Sequence, residues 1–446
     1  MKKEVVIIGA GLVGSLLSIY LSKRGYQVKV YERRADMREE KITAGRSINL
    51  ALSDRGLLAL QKVGLDEEIR QISIPMNGRF IHNMDGTTGF QPYGMEGQFI
   101  NSVSRAALNM KLLDLAEHEG VQIYFSHKCT SINWDENKIY FESAIDEPPA
   151  TVSFELAFGA DGAFSSARLS HQLQHEKFNY HQYYINCGYK ELTIPPTANG
   201  EYAMKINALH IWPRRDYMLI ALPNQDKSFT CTLFFPFDGE SSFSNLDSTA
   251  KVKSFFESTF PDATALMPGY LNEFFNNPTS TLVTIKCYPW VRDDKFSLIG
   301  DAAHAIVPFF GQGMNCGFED CRILDELIGI YDHDWKMILP QFQKQRKPNA
   351  DAIADLAVGN FTEMRERVAD PKFLLQKKIE AWLHEKHPDK WIPAYSQVTF
   401  NPQIPFADAF RNAMKQEAIM QQVMTIPGIE ENWRTGEVEK LILSKL

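Results

Sequence analysis

Gly9-Ala10-Gly11-Leu12-Val13-Gly14 restricts this chain more than any other stretch. It follows a short apolar run at 4–8 (EVVII), the pattern of a central parallel strand, and precedes helical spacing over 13–24. Glycines at these positions permit a tight turn, let backbone amides approach a pyrophosphate, and set the positive end of a helix beside it. A second strand over 27–32 ends at Glu32, 18 residues beyond Gly14. A carboxylate there accepts from ribose hydroxyls and repels a 2′-phosphate, so the resident dinucleotide is FAD or NAD rather than NADP. The bland alternative is a glycine-rich turn without a ligand, with Glu32 an ordinary strand-end charge.

Two later motifs bear on the choice. Gly159-Ala160-Asp161-Gly162 runs on through Ser165 to Arg168, and Gly300-Asp301-Ala302-Ala303-His304 runs on to Pro308 and Gly311-Gln312-Gly313. Each puts an aspartate at the end of a strand, and the second leads through a glycine loop into a helix over about 313–330. An aspartate so placed holds the ribityl hydroxyls of a flavin. The loop amides and helix dipole stabilise negative charge at the edge of the reduced ring. Either aspartate alone is also compatible with a plain strand-end turn.

As a set, the three motifs resemble the fingerprints of single-component flavoprotein aromatic hydroxylases, the p-hydroxybenzoate hydroxylase-like family, over residues 1–330. The resemblance implies one non-covalent FAD. It also implies NADPH as a transient co-substrate without a dinucleotide domain of its own, in line with the lack of a second GxGxxG. Four segments narrow it: Gly45 to Ser53 (GRSINLALS), Gln91 to Gly94 (QPYG), Val307 to Cys316 (VPFFGQGMNC) and Asn360 to Arg365 (NFTEMR). They resemble the branch of the family that converts L-kynurenine, NADPH and O₂ to 3-hydroxy-L-kynurenine, on the route from tryptophan to quinolinate and NAD. That likeness runs nearly end to end. Eukaryotic members carry a C-terminal membrane anchor; none is found up to Leu446, so the soluble, cytoplasmic bacterial form is expected.

Position by position, the resemblance puts substrate contacts at Arg79, Tyr93, Asn360 and Tyr395. An amino-acid carboxylate suits a guanidinium fork and a phenol hydroxyl. FAD contacts fall at Gly9, Gly11, Val13, Gly14, Tyr31, Glu32, Arg33, Arg34, Ala51, Arg105, Asp161, Asp301, Gly313, Met314 and Asn315, while Phe309, Phe310 and Met364 line the ring pocket. No metal and no catalytic side chain is implied. A flavin hydroperoxide delivers the oxygen, the substrate's aniline nitrogen activates the ortho carbon, and the protein orients the ring and excludes water. His304 reads as part of a turn, not as a base. The competing readings are an ion-paired Arg79, a turn aromatic at Tyr93, local hydrogen bonds at Asn360, simple packing at Tyr395, Phe309, Phe310 and Met364, and a solvent-facing Arg105.

The fold expected is α/β: a discontinuous Rossmann-like FAD domain (1–75, 100–178 and 290–330), an inserted antiparallel-sheet substrate domain (76–99 and 179–289) and a helical region (331–446). Residues 54–71 read as one helix, 121–145 as a β-meander, and 180–290 as sheet with few helical stripes. A net charge of −8 over 446 residues argues against a nucleic-acid binder. The six cysteines form no CxxC pair and read as buried reduced thiols. Lys2, Lys3 and the apolar run imitate a secretory signal, but the glycine spacing and the strand that follows at once oppose it. Two rival functions share the motifs: a flavin oxidoreductase without oxygen insertion, and a colourless binding protein on the same fold.

Overall fold

In the computed structural model, which describes residues 3–39, 49–143, 148–363 and 370–446, the first strand Glu4–Ile8 lies inside a six-stranded sheet. Val5, Val6, Ile7 and Ile8 are at most 2% exposed, as a continuous apolar run requires when both faces are covered. The strand pairs in parallel with Gln27–Tyr31 on one side and Leu156–Gly159 on the other. Phe296–Leu298 continues the sheet beyond Leu156–Gly159, again in parallel. The strands at the start, near 155 and near 298 are thus neighbours, and their carboxyl ends open on one side. Helix Leu12–Lys23 packs against helices Arg105–His118 and Gly313–Ile330.

A seven-stranded sheet carries, in order, Ser280–Tyr288, Asn179–Ile194, Phe229–Phe235, Tyr217–Pro223, Leu209–Arg214, Gly78–His82 and Thr88–Pro92. It departs from the antiparallel expectation at one junction, where Leu209–Arg214 runs parallel to Gly78–His82. That junction is where a distant segment of chain enters the sheet, so no hairpin fixes its direction. One face packs toward the parallel sheet. The other carries Trp212, Phe229, Leu233 and Phe235, covered by helices Thr249–Thr259, Pro261–Thr264 and Tyr270–Asn276.

Those three helices correct the expectation of few helices in 180–290. Their apolar residues come as adjacent aromatic pairs (Phe255-Phe256, Phe274-Phe275), which blur a helical stripe. The expected helix over 54–71 is two, Asp54–Lys62 and Asp66–Ile72, parted at Gly64, whose φ of +81° ends the first. The expected meander is split as well. Gln122–Tyr124 joins the parallel sheet beside Gln27–Tyr31, while Lys128–Asn133, Lys138–Glu142 and Ala150–Ser153 form a separate three-stranded sheet.

Beyond the long helix Trp335–Thr362, the chain forms helices Pro371–Lys386, Ala394–Phe400, Phe406–Val423 and Gly436–Leu443. Ile379, Leu383, Trp391, Met420 and Ile442 give this region a core of its own. Among the described residues no helix is long and apolar enough to cross a membrane, and all six cysteines are buried free thiols.

Candidate active site

The glycine loop is shaped by what surrounds each glycine. A Cβ on Gly9 would lie 2.6 Å from the carbonyl oxygen of Ala160, at a φ of +104°, and one on Gly14 would lie 2.0 Å from the carbonyl oxygen of Gly9. These two glycines let strand, loop and helix close on one another. A Cβ on Gly11 would meet nothing within 4 Å, which leaves an open approach to the start of helix Leu12–Lys23. Val13 instead packs inward, where its side chain would meet a Cβ at Gly300 or Gly317.

Glu32 stands beside this loop, 5% exposed. Its Oε2 accepts from the Ala10 amide (2.8 Å), and its Oε1 from the Arg34 amide (3.0 Å) and Nε (2.7 Å). Burial would raise this carboxyl, but Arg34 and the two amides outweigh it and hold it below its usual value. A cavity of about 230 Å³ opens here, lined by Ala10, Glu32, Arg34, Met37, Asn109 and Phe125 among others. Asn109 donates to the Ala10 carbonyl (3.2 Å), yet its buried Oδ1 has no hydrogen-bond partner. Sequence reasoning missed Asn109; a polar residue on the apolar side of an amphipathic helix was the available signal. Arg33 is exposed. The Tyr31 ring stacks between Tyr124 (4.7 Å) and Phe141 (4.4 Å) and is 6% exposed, so this side chain is part of the core.

The two strand-end aspartates differ. Asp161 accepts from the Ser165 hydroxyl (2.5 Å) and the Ala167 amide (3.1 Å), closing its own turn at the start of helix Ser166–Leu173. Part of the carboxylate expected to meet the flavin is thus used by its own turn. Asp301 opens helix Asp301–His304, is exposed, and has no hydrogen bond or ion pair among the described residues. Nearby, Gly311 takes a φ of +69°, and Gly313 and Met314 begin helix Gly313–Ile330. Asn315 knits this loop to the strand Asn49–Leu52. Its Nδ2 donates to the carbonyls of Ala51 (2.9 Å) and Gly311 (2.8 Å), and its Oδ1 accepts from the Ser53 amide (3.0 Å). A Cβ on Gly56 would lie 2.4 Å from that oxygen. The Asn315 side chain is therefore spent on the protein. Arg105, exposed, begins the helix that Ser104 caps through the Ala107 amide (3.4 Å).

Arg79, Tyr93 and Tyr395 come together. The Arg79 guanidinium lies 5.6 Å from the Tyr93 ring centre and 5.3 Å from that of Tyr395, and the two rings stack at 5.3 Å. Phe310 stacks on the other side of Tyr395 at 5.4 Å. No carboxylate pairs with Arg79 among the described residues. Burial pushes the Tyr93 phenol well above its usual value, against the pull of Arg79. Its buried hydroxyl makes no hydrogen bond of ordinary geometry, though Arg79 is near enough to act on it electrostatically. Asn360 lies one step away: its amide donates to the Phe309 carbonyl (2.6 Å), and Phe309 packs between Phe361 (4.3 Å) and Phe234 (5.0 Å). Phe234 was not foreseen, since nothing in an apolar strand marks which residue meets a pocket. Met364 lies outside the described residues.

On the same face of the seven-stranded sheet as Arg79, through the register Glu191–Thr232–Ile220–Ile211–Ile81, sits Glu191. Burial raises its carboxyl to about 7 against the pull of Arg105, and its Oε2 is buried without a partner. His304 ends the short helix Asp301–His304 that follows the strand. It is 2% exposed, its Nε2 lies 2.6 Å from Asp320 Oδ2, and although burial opposes it, Asp320 holds the imidazole well above its usual value.

Residues 2–357 match the FAD binding domain family. A kynurenine 3-monooxygenase of Flavobacterium johnsoniae is 50% identical over 444 residues, covering 99% of this chain and 98% of the relative. One of Sus scrofa is 44% identical over 403 residues, covering 90% and 84%. The chain belongs to the kynurenine 3-monooxygenase family. It is an FAD monooxygenase, and FAD is its cofactor. Solved structures add the fold: the tetrameric form of 2-methyl-3-hydroxypyridine-5-carboxylic acid oxygenase superposes with a TM-score of 0.67 at 18% identity, covering 86% of this chain and 98% of that one. PqsL of P. aeruginosa, solved with 2-aminobenzoylacetate, gives 0.66 at 17% identity, covering 82% and 98%. The residues present fit the family's cofactor. Gly11 leaves room for a pyrophosphate, Glu32 and the orphaned Asn109 Oδ1 offer acceptors to a nucleoside, and Asp301 is uncommitted at the mouth of the loop.

Proposed function

We propose that this enzyme hydroxylates L-kynurenine to 3-hydroxy-L-kynurenine, consuming NADPH and O₂, in the cytoplasm. The observation that carries the reading is Arg79, a guanidinium beside two stacked tyrosines with no carboxylate to pair with among the described residues. An amino-acid substrate supplies that carboxylate. Arg79 binds it through its fork and Tyr93 donates its otherwise unbonded hydroxyl. When bound, FAD would supply the redox chemistry that links NADPH to O₂. Asp301 would hold its ribityl hydroxyls, and the start of helix Gly313–Ile330 would favour negative charge on the ring. Phe309, Phe310 and Tyr395 would exclude water and orient the substrate ring. Asn360 fixes the turn of Phe309 and Phe310 through the Phe309 carbonyl. No proton-shuttling side chain is needed, because the substrate's own aniline nitrogen activates the carbon that is hydroxylated. On this reading 76–99 and 179–289 form the substrate domain, 1–75, 100–178 and 290–330 the FAD domain, and 331–446 the helices that close the site.

The test is NADPH oxidation by the flavin-loaded protein with and without L-kynurenine, with the product identified by mass. A product 16 Da heavier, formed in step with NADPH oxidation, is expected from insertion of one oxygen atom. NADPH oxidation without that product moves the enzyme to another substrate.

A further inference from the structure

Arg55 joins two parts of the molecule that meet at the aromatic box. It is the second residue of helix Asp54–Lys62 and is 1% exposed. Its Nε donates to the Val398 carbonyl (2.7 Å), and a terminal nitrogen donates to the carbonyls of Gln397 (3.3 Å), Asn401 (3.1 Å) and Ile404. The Phe406 ring lies 4.1 Å beneath the guanidinium. These carbonyls belong to the last turn of helix Ala394–Phe400 and the loop after it, where helical acceptors lack partners and the dipole is negative.

The other terminal nitrogen of Arg55 donates to Glu319 Oε1 at 2.7 Å. Glu319 Oε2 takes Arg346 (2.5 Å), Arg346 Nε donates to Asp320 Oδ1 (2.6 Å), and Asp320 Oδ2 meets His304 (2.6 Å) and the Gly300 amide (3.2 Å). The line ends beside Asp301. Burial would raise Glu319, but Arg346, Arg55 and Arg322 hold it below its usual value, so it keeps the charge that retains Arg55.

Helix Ala394–Phe400 has seven residues and no side-chain cap at its start. A helix that short does not hold its place by itself. Yet it carries Tyr395, one wall of the box around Arg79, and Phe400, which packs with Tyr93. We propose that Arg55 is a positioning residue for the hydroxylation: by gripping the C-terminal end of this helix, it sets where Tyr395 stands, and Glu319 supplies the charge that keeps Arg55 there. Arg55 touches neither substrate nor cofactor in this account.

The proposal rests on the kynurenine reading, and two measurements keep the two apart. Arg55→Lys keeps the charge but not the fork that reaches several carbonyls at once. In the flavin-loaded variant, amide hydrogen exchange over 394–404 is expected to speed by about tenfold, while strand 229–235 exchanges as in the parent. The KM for L-kynurenine is expected to rise about tenfold or more with FAD content retained. Combined with Tyr395→Ala, Arg55→Lys should add less than about twofold to KM, because the ring it positions is gone. Should Arg55→Lys not fold, Glu319→Gln keeps an acceptor, drops the charge, and is expected to loosen 394–404 in the same direction. Parent-like exchange over 394–404 overturns the proposal, and so do KM effects of Arg55→Lys and Tyr395→Ala that multiply. If the parent does not turn over kynurenine, the functional reading fails and exchange alone judges Arg55.

Discussion

The turns after Gly159 and after Leu298 look alike in sequence and behave differently in the fold. Both follow parallel strands and both carry an aspartate. Asp161 accepts from Ser165 and Ala167, whereas Asp301 has no partner among the described residues and faces solvent at the start of a short helix. The difference is written four residues on: a serine at 165, an alanine at 305. The same contrast runs through the molecule. Asn315 and Asp161 bond to the protein and the Tyr31 ring packs in its core, while among the described residues Asp301, the Tyr93 hydroxyl and Asn109 Oδ1 have no hydrogen bond of ordinary geometry and Arg79 has no carboxylate. Polar groups without an internal partner are where a ligand has something to gain.

Substitutions can break or sharpen that contrast. Arg79→Ala should be largest. On the proposed function it leaves the kynurenine carboxylate unpaired and is expected to raise KM by about a hundredfold, on the order of 3 kcal/mol, with FAD content unchanged. Steady-state kinetics beside the flavin-to-protein absorbance ratio reads both. Next comes Asp301→Ala, which should weaken FAD binding about ten- to thirtyfold, through hydrogen bonds worth about 1–3 kcal/mol each, and leave the apoprotein's melting temperature within about 2 °C. Flavin titration and thermal scans measure the two quantities.

Asp161→Ala should invert that pattern. It is expected to cost about 1–2 kcal/mol of stability by urea unfolding and to leave FAD affinity within about threefold of the parent. Equal loss of FAD affinity in the two aspartate variants would erase the distinction between the turns.

The smallest effect is one of pH. Glu191 is raised to about 7 by burial, so the folded state favours its protonated form. Its contribution to stability is full below the ordinary glutamate range and is lost as pH rises through about 7. Glu191→Gln should therefore gain on the parent with rising pH, by up to about 2 kcal/mol above pH 7, in unfolding curves taken from about pH 5 to 8.

Much of the cofactor side was legible because its demands are local. Gly9 and Gly14 are needed for backbone closeness within a dozen residues or against one neighbouring strand, and Glu32 follows at a fixed spacing. The long-range polar line was not legible. Arg55 and Glu319 are 264 residues apart, and no periodicity links an arginine in one helix to a glutamate in another. The box of Arg79, Tyr93 and Tyr395 was named only through resemblance, since an arginine in a strand and a tyrosine in a turn carry no mark of meeting. His304 escaped for the same reason: its partner Asp320 lies on the next helix, out of reach of a turn-level reading.

Gly56 and Asn315 have an evolutionary corollary. Any side chain at 56 would strike the amide oxygen that caps Ser53, while any shorter residue at 315 would release three backbone groups at once. A Cβ at 56 would also meet the Leu52 methyl at 2.6 Å, so a change at 56 has to be answered at both 52 and 315. A mutational library that samples 52, 56 and 315 jointly should therefore recover replacements at 56 that one sampling single positions does not.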